Sequence, residues 1–281
     1  MVSIFWGTTF LAIRIGVGSF PPFIMAAIRH SIAGLILVSW FLLKGYRLPD
    51  RKALKTFSIN GILMLAGGNG IISWGMQYVD SGLTALICAL TPVWIVLINK
   101  LSGSKEKITK IAVIGFAVCL LGQIILFKDK MNLFESRNYL FGIMAIVVSN
   151  ILWALGTVYS KNYVSTIPSL FATGLQMIPG GIILFIAAWL RGEFENLHPH
   201  QDALWALVYL IIFGSLFAYS AYIYMIKQLP ASIASTYAYI NTFVAILLGW
   251  LWLHETLDAS TSIAMLITIA GVYLISRNYN A

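Results

Sequence analysis

Residues Pro22–Leu43 read PFIMAAIRHSIAGLILVSWFLL, and Lys44-Gly45-Tyr46-Arg47-Leu48-Pro49-Asp50 follows at once. In this block Arg29 and His30 are the only ionisable side chains. As an α-helix it extends about 33 Å, enough to cross roughly 30 Å of hydrocarbon. The cations, glycine and proline behind it suit a chain that turns at a membrane surface. The same alternation of apolar block and short polar connection continues along the chain. It predicts ten spans: Val2–Gly18, Pro22–Leu43, Phe57–Val79, Leu83–Leu101, Ile108–Phe127, Tyr139–Tyr163, Leu170–Leu190, Ala203–Ile226, Ile233–Leu253 and Ser260–Ser276. The connections leave no room for a soluble domain.

Composition agrees. Of 281 residues, 59% are hydrophobic and 10% charged, against roughly 45–50% and 25% in soluble domains. The mean hydropathy is +0.86. A net charge of +8 raises the question of a nucleic-acid partner. However, the cations are scattered through connections and form no basic face with interleaved aromatics. The expected surroundings are a lipid bilayer, with no nucleic acid. Cys88 and Cys119 fall inside apolar blocks and read as small apolar residues. No cleavable signal peptide is visible, so the first block is retained as a span. It starts almost at Met1, which suggests a helix clipped at its N-terminus.

Ten spans put both termini on one side. Twelve of the 18 Lys and Arg residues fall on that side and four (Lys128, Lys130, Arg137, Arg191) on the other, with Arg14 and Arg29 set aside inside spans. The positive-inside bias then makes both termini cytoplasmic, in the inner membrane of the cell.

The chain also resembles itself. A shift of 147 lays Trp6 on Trp153, Arg14 on Lys161, Pro21 on Pro168 and Gly34 on Gly181; a shift of 149 pairs Glu106 with Glu255 and Gly122 with Gly271. Five spans per half is an odd number, so the halves, 1–130 and 138–281, are expected to lie upside down to one another. Inverted repeats are a common architecture of secondary transporters. The expected fold is therefore an all-α integral membrane protein of ten helices, built as two inverted five-helix repeats.

The stretches Trp6-Gly7-Thr8-Thr9-Phe10, Pro21-Pro22-Phe23, Ala89-Leu90-Thr91-Pro92-Val93-Trp94, Tyr237-Ala238-Tyr239-Ile240-Asn241 and His254-Glu255-Thr256 carry a family likeness. Over essentially its whole length the chain resembles EamA-type members of the drug/metabolite transporter superfamily. The resemblance implies ten helices, cytoplasmic termini, a central cavity, and export of amino acids and other metabolites. Members often have Pro after the Asn of helix 9, where this chain has Thr242.

Polar and aromatic groups at mid-span depth are the candidates for substrate binding: Trp6, Thr9, Asn69, Thr91, Trp153, Thr157, Tyr219, Tyr239 and Asn241. Trp in membrane proteins more often sits at the interfacial belts, which is the competing role for Trp6 and Trp153. Asn69 lies among glycines in Ala66-Gly67-Gly68-Asn69-Gly70, a pattern open to close helix packing or to a local break. Pro92 should bend its helix. Arg29, two turns into its span, joins the candidate list. Headgroups, backbone carbonyls and a substrate carboxylate are all open to it. Arg14 is within snorkelling reach of the outer headgroups, and Glu106 and Glu255 stand where they could cap the helices that follow them.

No Asp or Glu lies deep in a span, and His30 is the one histidine within one. That favours facilitated diffusion, or coupling without a buried acid. There is no H-E-x-x-H, G-x-S-x-G or Walker motif, and His198 with His200 is the only close histidine pair. Neither an enzyme, nor a metal site, nor a cofactor is expected. The sequence points to a carrier exporting small metabolites, such as amino acids or drug-like amphipathic compounds, by alternating access. A channel, or a membrane-embedded subunit of a complex, is the rival.

Overall fold

The computed structural model describes residues 2–103, 110–128, 136–163, 166–195, 197–229, 234 and 237–277, and among them there is helix but no strand. Helix α1 covers Val2–Gly16 and α2 Pro22–Leu43. Helix α2 starts on Pro22, whose missing N–H costs nothing in a first turn, and ends at Lys44, where Gly45 takes a left-handed φ of 85°. Helix α3 (Arg51–Gly61) is capped by Asp50, whose Oδ1 accepts from the Ala53 amide at 2.8 Å. It winds without interruption into a π-helical stretch, Ile62–Gly70, and then α4, Ile71–Gly75. Helices α5 (Ser81–Cys88) and α6 (Thr91–Leu101) form one rod broken where Pro92 removes a backbone donor. Helices α7 (Lys110–Lys128), α8 (Arg137–Asn162) and α9 (Ser169–Leu190) follow. A second π-helical stretch, Leu210–Tyr219, joins α10 (Gln201–Tyr209) to α11 (Ser220–Gln228). The chain closes with α12 (Tyr237–Leu253) and α13 (Ala259–Arg277). Thr242 does not interrupt α12; its hydroxyl lies 2.7 Å from the Ala238 carbonyl and 3.1 Å from that of Ala85.

Among the described residues, five helical rods are long and apolar enough to cross a membrane: Pro22–Leu43, Ser81–Leu101, Arg137–Asn162, Ser169–Leu190 and Gln201–Gln228. Shorter apolar helices accompany them. Large apolar side chains such as Leu35, Leu43, Leu120 and Trp189 face outward, a surface that a bilayer covers and water would not tolerate. The chain is therefore a multi-pass membrane protein. Inside, α2 packs along α9, α7 along α13, and α1 along α12. The α7–α13 seam is close because glycines face each other: a Cβ on Gly115 would stand 2.7 Å from the Gly271 carbonyl oxygen.

The structure corrects the expectation for Glu255. Helix α13 is capped by Asp258, whose Oδ1 accepts from the Thr261 amide at 2.7 Å. Glu255 reaches across to α5 instead. Its Oε1 accepts from the Ser81 amide (2.8 Å) and hydroxyl (2.7 Å), and its Oε2 from the Gly82 amide (2.9 Å). Gly249 leaves the room, since a Cβ there would lie 2.8 Å from Ser81 Oγ. Glu106 lies outside the described residues. Glu193 makes a lesser cross-link, accepting from the Ile24 amide at the start of α2 at 3.0 Å. Arg14 bonds the Met76 carbonyl and stands 3.8 Å from the Asp80 carboxylate. It pairs with protein.

Candidate functional site

Helices α1, α8 and α12, the first π-helical stretch and the α5–α6 break surround a cavity of about 70 Å³. Six of the expected binding residues line it: Trp6, Thr9, Asn69, Thr91, Trp153 and Asn241. Each element contributes for a local reason. The rewound turn carrying Gly68 and Asn69 brings backbone against α8, so that a Cβ on Gly68 would meet the Trp153 ring at 2.9 Å. A π-helical turn of this sort is often found at functional positions. The break in the α5–α6 rod exposes carbonyls that side chains then occupy. Thr91 Oγ1 lies 2.6 Å from both the Cys88 carbonyl and Asn150 Oδ1, while Asn150 Nδ2 donates to the Ile87 carbonyl at 3.0 Å. Freed backbone groups at membrane depth are tolerated under such cover.

One wall of the cavity is aromatic. Trp6 meets Trp153 edge to face at 5.3 Å, Tyr222 at 4.9 Å and Tyr237 at 4.8 Å. Trp6 is 7% exposed, whereas Trp189, near the end of α9, is 70% exposed in the manner of an interfacial residue. Both roles foreseen for membrane Trp thus occur in the same chain.

The other candidates lie elsewhere. Thr157 is fully buried behind the aromatic wall, 2.8 Å from the Tyr222 hydroxyl. The Tyr219 hydroxyl donates to Gln176 Oε1 at 2.8 Å, beside the Asn60 amide, which donates to the same oxygen at 2.9 Å. The side chain of Tyr239 lies outside the described residues. Arg29 is 3% exposed and donates from Nε to Ser215 Oγ at 2.7 Å, just off the cavity. Sequence reasoning left Cys88 as inert packing, yet it lines the cavity together with Ser149, Asn150 and Tyr237. Tyr222, three residues after Tyr219 on the same helical face, was detectable by that spacing.

Among the described residues the lining holds amide, hydroxyl and thiol groups and aromatic faces but no carboxylate, imidazole, ammonium or guanidinium. Asn241 Oδ1 has no hydrogen-bond partner within the structure. No group of three or more His, Cys, Asp or Glu able to hold a metal occurs among the described residues. A ligand in such a cavity would be held by contact and hydrogen bonding.

The pattern that defines the EamA-like transporter family matches residues 1–128 and 140–277. The chain belongs to this family. It is 36% identical to the uncharacterized inner membrane transporter YedA of Escherichia coli K12, over 97% of this chain and 87% of that one. The uncharacterized transporter YoaV of Bacillus subtilis is 26% identical over 97% and 93%. A solved crystal structure shares the fold, with a TM-score of 0.73 at 19% identity over 98% and 94% of the two chains.

Proposed function

We propose that the protein is a secondary carrier that moves small metabolites out of the cell by alternating access. In this reading two inverted five-span halves, 1–130 and 138–281, rock about the central cavity. Both termini lie on the cytoplasmic face of the inner membrane. Trp6, Thr9, Asn69, Thr91, Trp153 and Asn241 contact the substrate, while Thr157, Tyr219 and Tyr222 brace the aromatic wall from behind. The carrying observation is that Trp6 and Trp153, which stand 147 residues apart at equivalent places in the two halves, meet edge to face on the cavity wall. Support for the repeat comes from two family matches of similar length and from π-helical stretches starting at Ile62 and Leu210. The naming of YedA as an inner membrane transporter supports the location.

The test is counterflow in proteoliposomes of the purified protein, using metabolites that accumulate in cells lacking the gene. Saturable uptake accelerated by unlabelled substrate on the opposite side is expected, and Trp153→Ala should abolish it. Flux that rises linearly without saturation would make the protein a channel. Reporter fusions should place Lys52 and Lys227 on the same face; opposite faces would remove the inverted-repeat reading.

A further inference from the structure

Arg29 is a cation buried without an acid. It sits at membrane depth on α2, and among the described residues the ion pair present joins Arg14 to Asp80 and leaves Arg29 aside. The hydrogen bond it makes goes from Nε to the Ser215 hydroxyl, a neutral acceptor. A guanidinium carries five N–H donors and prefers the paired oxygens of a carboxylate.

Its position relative to the cavity is specific. Ser215 belongs to the second π-helical stretch, and the residue before it is Gly214. A Cβ on Gly214 would stand 2.7 Å from Arg29 Nη2 and 3.0 Å from Thr9 Cγ2. Thr9 lines the cavity. The guanidinium therefore stands against Gly214, and the other neighbour of that glycine, Thr9, is a cavity-lining residue. The absence of a Cβ at Gly214 is what lets the cation stand there.

We infer that Arg29 supplies the counter-charge for a carboxylate on the molecule that occupies the cavity, an inference that rests on the carrier reading above. The ligand is then an organic acid with an apolar or aromatic body. Its body packs on the tryptophan wall, and its carboxylate takes the guanidinium over from Ser215. A charged acceptor outcompetes a hydroxyl for the same donors. A cationic ligand finds no compensating charge, because no carboxylate lines the cavity among the described residues. Asn241 Oδ1, 5% exposed at the residue level and without a partner, offers a neutral acceptor for a ligand donor.

The experiment uses the full chain in lipid nanodiscs and labelled phenylacetate. The competitors are unlabelled phenylacetate, its neutral isostere phenylacetamide, and phenethylamine. The acid should compete about tenfold better than the amide, the margin of one charge-assisted hydrogen bond, and the amine should not compete. Arg29→Gln should erase the preference for acid over amide, and Arg29→Lys should keep part of it. Equal competition by acid and amide in the wild-type protein overturns the inference, whether or not Arg29→Gln folds. So does an acid preference that survives in Arg29→Gln, or a folded wild-type protein that binds no phenylacetate at millimolar concentration. Saturable counterflow without any acid preference would remove the role of Arg29 and leave the carrier reading standing. Failure of counterflow as well would remove both.

Discussion

Glu255, half-buried, and Arg29, buried, are both ionisable groups that meet protein partners, and the protein treats them differently. The carboxylate of Glu255 accepts three hydrogen bonds from Ser81 and Gly82. The guanidinium of Arg29 has its Nε on a serine hydroxyl and, among the described residues, no acid beside it. A charge whose donors are all arranged around it holds architecture together; one left short of partners raises the energy of the folded state until something supplies them. The first joins the loop before α13 to the start of α5, and the second waits beside a cavity. Removing each group should therefore move stability in opposite directions.

Glu255→Ala is the larger change. It strips a helix start of its cap and leaves three donors unpaired, at a cost of about 3 kcal/mol. Thermal unfolding in detergent reads the loss directly. Glu255→Gln keeps an oxygen at Oε1 and should recover about half. An alanine variant that melts with the wild-type protein would mean that the clasp contributes nothing, and the comparison would fall.

Arg29→Met should go the other way. The methionine fills a similar volume without a charge to desolvate, and replacing buried ionic groups with apolar ones is often stabilising by about 1–2 kcal/mol. A gain in melting temperature together with loss of acid preference is the expected result. A loss of several kcal/mol would class Arg29 with Glu255, as structure. Ser215→Ala sharpens the distinction at about 1 kcal/mol, because it orphans Arg29 Nε. In the Arg29→Met background the same change should cost almost nothing, a coupling that a double-mutant cycle measures.

How much of this the sequence discloses depends on range. The five long spans were legible because the bilayer imposes a length of about 20 apolar residues on each, independent of partners. The break at Pro92 was legible because proline lacks a donor wherever it sits. Six cavity residues could be named because depth along a helix follows from counting. Facing does not follow, which is why Thr157 and Tyr219 sit behind the wall they were expected to form. The partner of Glu255 lies 174 residues away, and the local rule for an acid near a helix start pointed to the wrong helix. The π-helical stretches carry no propensity signal beyond their glycines, three in the first and Gly214 in the second.

Glu193 is the intermediate case and gives the smallest effect. Its carboxylate accepts from the Ile24 amide at 3.0 Å, as Glu255 accepts from Ser81, but with fewer donors. Burial raises its pKa above the ordinary 4.5, while the Ile24 and Phe23 amides and the charge of Arg191 oppose the rise without cancelling it. The folded state then holds this proton more tightly than the unfolded chain does. Stability from this group therefore grows as pH falls through the raised folded value, and levels off below the ordinary one. Glu193→Gln has no proton to take up. The melting temperature of the wild-type protein relative to this variant should accordingly rise as near-neutral buffer is acidified toward about pH 4.5. A relative fall over the same window would mean that the amides outweigh burial. Glu193 would then be satisfied in the manner of Glu255, and under-satisfied charge would be confined to the neighbourhood of the cavity.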